Sequence, residues 1–275
     1  MLETMAYSNH AEYPSDFDYP KDVIVDVCPF YHEHHEPIFD ISVPSAPQSI
    51  EPVQTWAARH PGILGVFCYY RKYKVLSKPV VFPTLMWSEL SYFRDRGYQS
   101  ITMQSEPGDW LTFELQHYMQ SRLVWDTAQD INALVKDYCN TRFGPAASEM
   151  ERYIWTLAKA TTRSVRLSAA DPTRHEVSQG RLWVNECTKL LNRARRKTSR
   201  QPRTKELLAR LAVTLRHMEI AFDLLDLARE GRSRKLKERK QHLLRLARRH
   251  RSKGLFFDID GYWLGDIGMR KVYGE

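Results

Sequence analysis

Apolar residues recur along this chain in two rhythms, and the change from one to the other falls near Asp109. Before it, short runs rich in β-branched and aromatic residues stand at 2–8, 23–30, 63–70 and 100–104. VIVDVCPF and GILGVFCYY are almost continuously apolar, the pattern of parallel strands covered on both sides. Between the second and third runs, Ser49 is placed to cap a helix bearing Ile50, Val53, Trp56 and Ala57. Between the third and fourth, Leu85, Leu90 and Phe93 share one helical face, and Gly97 stands where that helix ends. Strand–helix–strand order predicts right-handed βαβ units and an α/β fold.

After Asp109 the period becomes helical. Leu111, Leu115, Tyr118 and Arg122 form one set, Ile131, Leu134, Val135 and Tyr138 a second, and Met150, Ile154 and Leu157 a third. Gly144-Pro145 separates two of these helices, with Gly closing one and Pro in the first turn of the next. Leu208, Leu211, Leu215, Met218, Phe222 and Leu225 step by three and four, which predicts one apolar stripe on a long helix facing a bundle core. A basic helix with Leu236, Leu243, Leu244 and Leu246 follows over 232–253, and the aromatic tail LFFDIDGYWLGD is expected to dock back on the bundle. The reading is therefore four parallel strands in residues 1–109 and a helical domain in residues 110–275.

Charge sharpens that division. Residues 1–110 carry 8 basic against 14 acidic residues, a net −6, whereas residues 171–275 carry 26 against 13, a net +13. Four widely spaced cysteines, Cys28, Cys68, Cys139 and Cys187, read as reduced core residues, with a bridge left open by their spacing. The start of the chain lacks a basic region followed by an apolar run, so no signal peptide is read and a cytoplasmic location is expected as the chain stands, with full-length relatives exported. No apolar segment reaches 18 residues, which argues against a membrane span.

In parallel α/β barrels chemistry collects in the loops that follow the strands. Here those loops begin near residues 7, 29, 69 and 104, and they hold Tyr7, His32, Tyr69, Tyr70 and Gln104, with Trp110 nearby. Hydroxyl-rich ligands need donors and acceptors, and their apolar ring faces stack on Tyr or Trp, so these residues are read as substrate-binding, and Tyr7, His32, Tyr70, Gln104, Glu106 and Trp110 are expected to converge on one rim. Glycosidases use paired carboxyl groups. Asp26, Glu33, Glu36 and Glu106 are the acids at hand. Asp26, in step with Ile24 and Cys28, is placed to face inward and, with Glu106, is the catalytic candidate. The His32–Glu36 run is dense in ligand types, but no second cluster, HExxH or Cys pair accompanies it, so neither metal nor other cofactor is expected.

The stretch RLVWDTAQDINALVKDYCNTRFGPAASEMERY, residues 122–153, resembles the junction between barrel and helical region in a bacterial protein family of unknown function with a glycoside hydrolase-like barrel, related to alpha-glucuronidases. The resemblance covers about residues 2–160. AYS with Pro14 resembles the family's fifth strand and its loop, VIVDVCPF the sixth, FCYY the seventh, and GYQSITMQS the last, with Gln104 at the family's Gln position. Met103 departs from the pattern, standing where an acidic residue is common. The resemblance implies the C-terminal half of a TIM-type (β/α)8 barrel followed by an all-α helical bundle. It implies a carbohydrate-active protein, a fragment or degenerate member that binds a carbohydrate or glycan ligand, with a missing N-terminal half barrel as partner, no membrane, and nucleic acid not expected. If such a chain acts as an enzyme, the resemblance implies a glycosidase using carboxylate acid–base chemistry. The rival reading is a non-enzymatic helical interaction protein that binds an anionic partner through its basic C-terminal helices. Salt separates the two, because backbone-phosphate binding weakens steeply with added salt and neutral-sugar binding does not.

Overall fold

Four strands form where the β-rich runs predict them: β1 (Leu2–Ala6), β2 (Val23–Val27), β3 (Leu64–Cys68) and β4 (Ser100–Met103). They pair in parallel in the order β1-β2-β3-β4, with Met5 opposite Asp26, Asp26 opposite Gly65, and Gly65 opposite Ser100. The computed structural model describes residues 2–30, 32, 36–42, 46–71, 75–105, 107–162 and 172–256. The protein is an α/β protein whose sheet is parallel throughout.

Two compact units divide the chain, each assembled from separate stretches. The first comprises Met1–Arg71, Thr84–Gln104 and Gln120–Gln129, and the second Lys72–Pro83, Ser105–Met119 and Asp130–Glu275.

In the first unit, side chains alternate across the sheet. Ala6, Val25, Val27, Leu64, Val66 and Cys68 share one face, and all are buried. Helix α1 (Ala46–Arg59) packs on β2, and helix α2 (Pro83–Asp95) is the crossover between β3 and β4. Ile50, Val53 and Trp56 are the buried side of α1, and Leu85, Met86, Leu90 and Phe93 that of α2. Gly97 ends the α2 turn with a φ of 82°, a left-handed conformation that glycine takes without strain. The expected cap at Ser49 is displaced. The helix begins at Ala46, and Ser49 is a buried residue inside its first turns.

The opposite face of the sheet differs from expectation. Glu3, Met5, Ser100 and Thr102 are exposed, and Ile24 and Phe67 are only half-buried. The near-continuous apolar runs of β2 and β3 therefore arise from one covered face plus lateral shielding by neighbouring strands. Among the described residues, no helix covers this second face.

The second unit is helical. Helix α4 (Ile131–Phe143) is capped by Asp130, whose side chain accepts from the backbone N–H groups of Asn132 and Ala133. Gly144 and Pro145 form a short turn, and α5 (Ala147–Thr162) follows. Helix α6 (Arg174–Lys197) opens with a capping box between Thr173 and Glu176. Helices α7 (Pro202–Arg229) and α8 (Ser233–Arg249) complete the series, and each helix from α4 to α8 packs on the next. Helix α3 (Glu114–Leu123) lies between the sheet and this series in sequence.

Helix α7 is buried more widely than the single predicted stripe. Thr214, Leu215, His217, Met218, Ile220, Ala221, Phe222 and Leu224 are all buried, because α6 and α8 both pack against it. Leu255 and Phe256 enter the same core beside Leu224, Leu236 and Leu243, so the start of the aromatic tail docks as expected. The rest of that tail lies outside the described residues. All four cysteines are free and buried, and among the described residues no helix is long and apolar enough to cross a membrane.

Candidate functional site

The bare face of the sheet collects polar and aromatic groups around one carboxyl. Asp26 stands at its centre, only 4% exposed. Its neighbour on β3 is Gly65, and the missing side chain opens a gap that the carboxylate fills. A Cβ at residue 65 would sit 1.8 Å from Asp26 Oδ1 and 2.4 Å from Ser100 Oγ. Across that gap the Thr102 hydroxyl of β4 donates to Asp26 Oδ2 at 3.3 Å. On the other side, Glu3 of β1 lies on the same face and is a hydrogen-bonding neighbour of Asp26.

Burial raises the Asp26 pKa above the ordinary carboxylate value, and the Glu3 charge raises it further, against the lowering effect of the Thr102 hydrogen bond. A carboxyl with a raised folded pKa stabilises the fold at low pH. That contribution is lost as the pH climbs from the ordinary value of 3.8 through the folded value. Asp26→Asn is therefore expected to raise the melting temperature at pH 7 relative to the parent, with the gain shrinking towards pH 4. Thermal melts at the two pH values check it, and an Asn variant less stable than the parent at pH 7 would show that the charge is held favourably.

Aromatic rings line the end of this face. Tyr7, just past β1, packs edge-on to Phe30 with ring centroids 5.5 Å apart. Phe30 packs edge-on to Tyr69 at 5.5 Å, and Tyr69 meets Phe67 at 4.9 Å. Cys28 ties this shelf to the backbone of β2. Its thiol donates to the backbone carbonyl of Asp26 at 3.4 Å and is also a hydrogen-bonding neighbour of Tyr69. Tyr7 is 40% exposed and presents its ring to solvent, whereas Tyr69 is buried within the shelf.

The other sequence candidates go elsewhere. His32 is buried, with Nε2 2.6 Å from Glu89 Oε1 of α2. The same oxygen accepts from the Ile38 N–H at 2.8 Å. Tyr70, 1% exposed, lies beside Glu89 and Cys68, and burial drives its phenol far above the usual range. His32 and Tyr70 thus belong to a buried polar knot against α2, not to the shelf. Gln104 continues the ladder past β4, its N–H bonding the Cys68 carbonyl at 3.0 Å, with its side chain half-buried. Because β1 and β4 are the two outer strands, Tyr7 and Gln104 stand on opposite edges of the sheet. Trp110 belongs to the second unit, 52% exposed and stacked on His117 at 3.9 Å. Glu106, Glu33, His34 and His35 lie outside the described residues, and among those described no cluster of three His, Cys, Asp or Glu could hold a metal.

Sequence reasoning missed Glu3, Gly65, Thr102 and Glu89. The period-2 position of Glu3 beside Met5 was visible, but its partnership with Asp26 depends on register.

A parallel sheet that, among the described residues, helices cover on one face only, with Asp26 and aromatic rings on the other, defines an α/β protein. The chain belongs to the family described as Domain of unknown function (DUF4838), whose model matches residues 1–155, from β1 into α5. No curated protein and no solved structure matches the chain significantly.

Proposed function

We propose that this chain is a glycoside hydrolase-like, carbohydrate-binding protein of the alpha-glucuronidase type. In this reading β1–β4 are the C-terminal half of a (β/α)8 barrel, and α4–α8, which follow it in the chain, form an all-α bundle. The bare face is then the barrel interior, which a further four strand–helix units close. One observation carries the reading: the face left uncovered by helices among the described residues bears Asp26 and, further along the strands, the Tyr7–Phe30–Tyr69 shelf. Helices on one side only suit a barrel wall, because a doubly wound sheet is covered on both. A sugar ring has an apolar face for aromatic rings and hydroxyls for carboxylate and hydroxyl partners.

Calorimetric or NMR titration with neutral hexoses tests it. Binding in the millimolar range is expected, a free energy of about 4 kcal/mol. Tyr7→Ala should weaken it several-fold, in line with the roughly 0.5–1.5 kcal/mol that ring stacking contributes. Affinity unaltered in Tyr7→Ala would remove the shelf from the site.

A second reading is supported by α8. Its outer side exposes Lys235, Lys237, Arg245, Arg248 and Arg249 while Leu236, Leu243, Leu244 and Ala247 turn inward. That surface suits an anionic partner, and a steep fall of binding with added salt is its signature.

A further inference from the structure

Helices α6, α7 and α8 line an open cleft of about 530 Å³. Arg181 enters it from α6, α7 contributes Asp223, Asp226 and Glu230, and α8 contributes Lys235, Glu238, Arg239, His242 and Arg245. Every acid of this lining is already tied to an arginine. Arg181 binds Asp223 at 2.9 Å and Asp226 at 2.7 Å, and Arg239 binds Asp223 as well. Glu230 pairs with Arg232 at 2.8 Å, and Glu238 with Arg234 at 3.2 Å. Among the described residues, Lys235 and Arg245 make no ion pair, and both are exposed. The uncompensated charge of the cleft is therefore positive. It also has direction, because Lys235, Arg239, His242, Arg245 and Arg249 step by three and four along α8 and form one stripe. At 1.5 Å per residue that stripe is about 21 Å long, too long for one phosphate or one sugar ring.

Resting on the anionic-partner reading of α8 above, we propose that this cleft binds a sulfated polysaccharide lying along the helix. Its sulfates meet Lys235, Arg245 and Arg249 through charge-assisted hydrogen bonds, about twice as strong as neutral ones. Its hydroxyls donate to the oxygens of Asp223 and Asp226 that the arginines leave open, since an ionised carboxylate has about four acceptor sites. Carboxylates set beside free cations suit a ligand that carries both anionic groups and hydroxyl donors. A nucleic-acid backbone brings few such donors, and the lining holds no Phe, Tyr or Trp on which bases stack.

The test titrates the full chain with a heparin dodecasaccharide, an unsulfated heparosan dodecasaccharide and a charge-matched oligothymidylate, at low and at fourfold higher salt. Heparin is expected to bind about tenfold or more tighter than either of the others, with a log–log salt slope of roughly one for each cation engaged. Lys235→Gln and Arg245→Gln should each weaken heparin several-fold and lower that slope by about one. Both side chains are exposed, so the variants read the charge with the fold intact. Lys237→Gln removes the same charge from α8 outside the cleft lining and should change little. Heparosan or oligothymidylate binding as tightly as heparin overturns the sulfated glycan and leaves the anionic-partner reading standing. Heparin binding that is unaltered in Lys235→Gln and Arg245→Gln, or weakened as much by Lys237→Gln, overturns the cleft. Failure of all three probes to bind overturns the anionic-partner reading, and this inference with it.

Discussion

Below pH 6.5 the helical unit is expected to lose about 1.4 kcal/mol of stability per pH unit through His217 alone. His217 is fully buried on α7, and its Nδ1 lies 3.2 Å from the carbonyl oxygen of Ser77. Burial lowers its pKa from 6.5 to about 3, the charge of nearby Lys78 adds to the effect, and the Ser77 contact opposes it. The unfolded chain therefore takes up a proton at pH 6.5 that the folded chain refuses until about 3. Stability held above pH 6.5 is lost progressively across that window. His217→Gln keeps a polar group near the Ser77 carbonyl and removes the titration. It should cost about 1–3 kcal/mol at pH 7.5, the scale of a disturbed buried hydrogen bond, yet flatten the acid limb by about 1.4 kcal/mol per pH unit. Urea melts followed by circular dichroism at pH 7.5 and 4.5 measure both. Parent and variant with parallel pH profiles would mean that the folded imidazole accepts its proton normally.

Gly65→Ala is expected to destabilise the sheet by about 1–3 kcal/mol, as overpacking does, and, on the proposed sugar-binding reading, to abolish that binding. The added methyl would stand 1.8 Å from Asp26 Oδ1, so the carboxylate has to leave its place and its contact with Thr102. Because the closest obstacle is the Asp26 carboxylate, with the Ser100 hydroxyl second at 2.4 Å, Asp26→Ala in the same molecule should restore part of the lost stability, and the coupling is read from a double-mutant cycle. Binding should not return in the double variant, since its carboxyl is gone. Parental stability and binding in Gly65→Ala would show that the gap is not needed.

The strands, the helix faces of α1 and α2, and the change of rhythm at Asp109 were readable from period and punctuation, because each depends on neighbours within a few residues. The candidate site was readable only in part. Asp26 could be assigned inward from its alternation with Ile24 and Cys28, but Thr102, its hydrogen-bond partner, lies 76 residues away. Two consecutive tyrosines could not be told apart by sequence. Side chains in a strand point to opposite faces, so Tyr69 joins the shelf while Tyr70 turns towards Glu89, and only α2 decides which is which. His32 was read as a loop residue open to substrate, but the Glu89 carboxylate, which also binds the Ile38 N–H, draws it into the interior. For α7, one stripe was visible, and the second flank escaped because its buried positions include Thr214 and His217, which do not score as apolar.

The burial of α7 on more than one flank also bears on where this protein can accept change. A helix with a free solvent side tolerates substitutions along it, but between residues 214 and 224 α7 has little such side, with α6 and α8 packed against it. Novelty is tolerated where the backbone is exposed and few contacts depend on it. The bend after α7 meets that description. Gly231 is exposed, takes a φ of 64°, and has nothing within 4 Å of where a side chain would begin. Insertions, labels or a circularly permuted terminus belong at that bend, where the chain can be lengthened without asking the long helix to move.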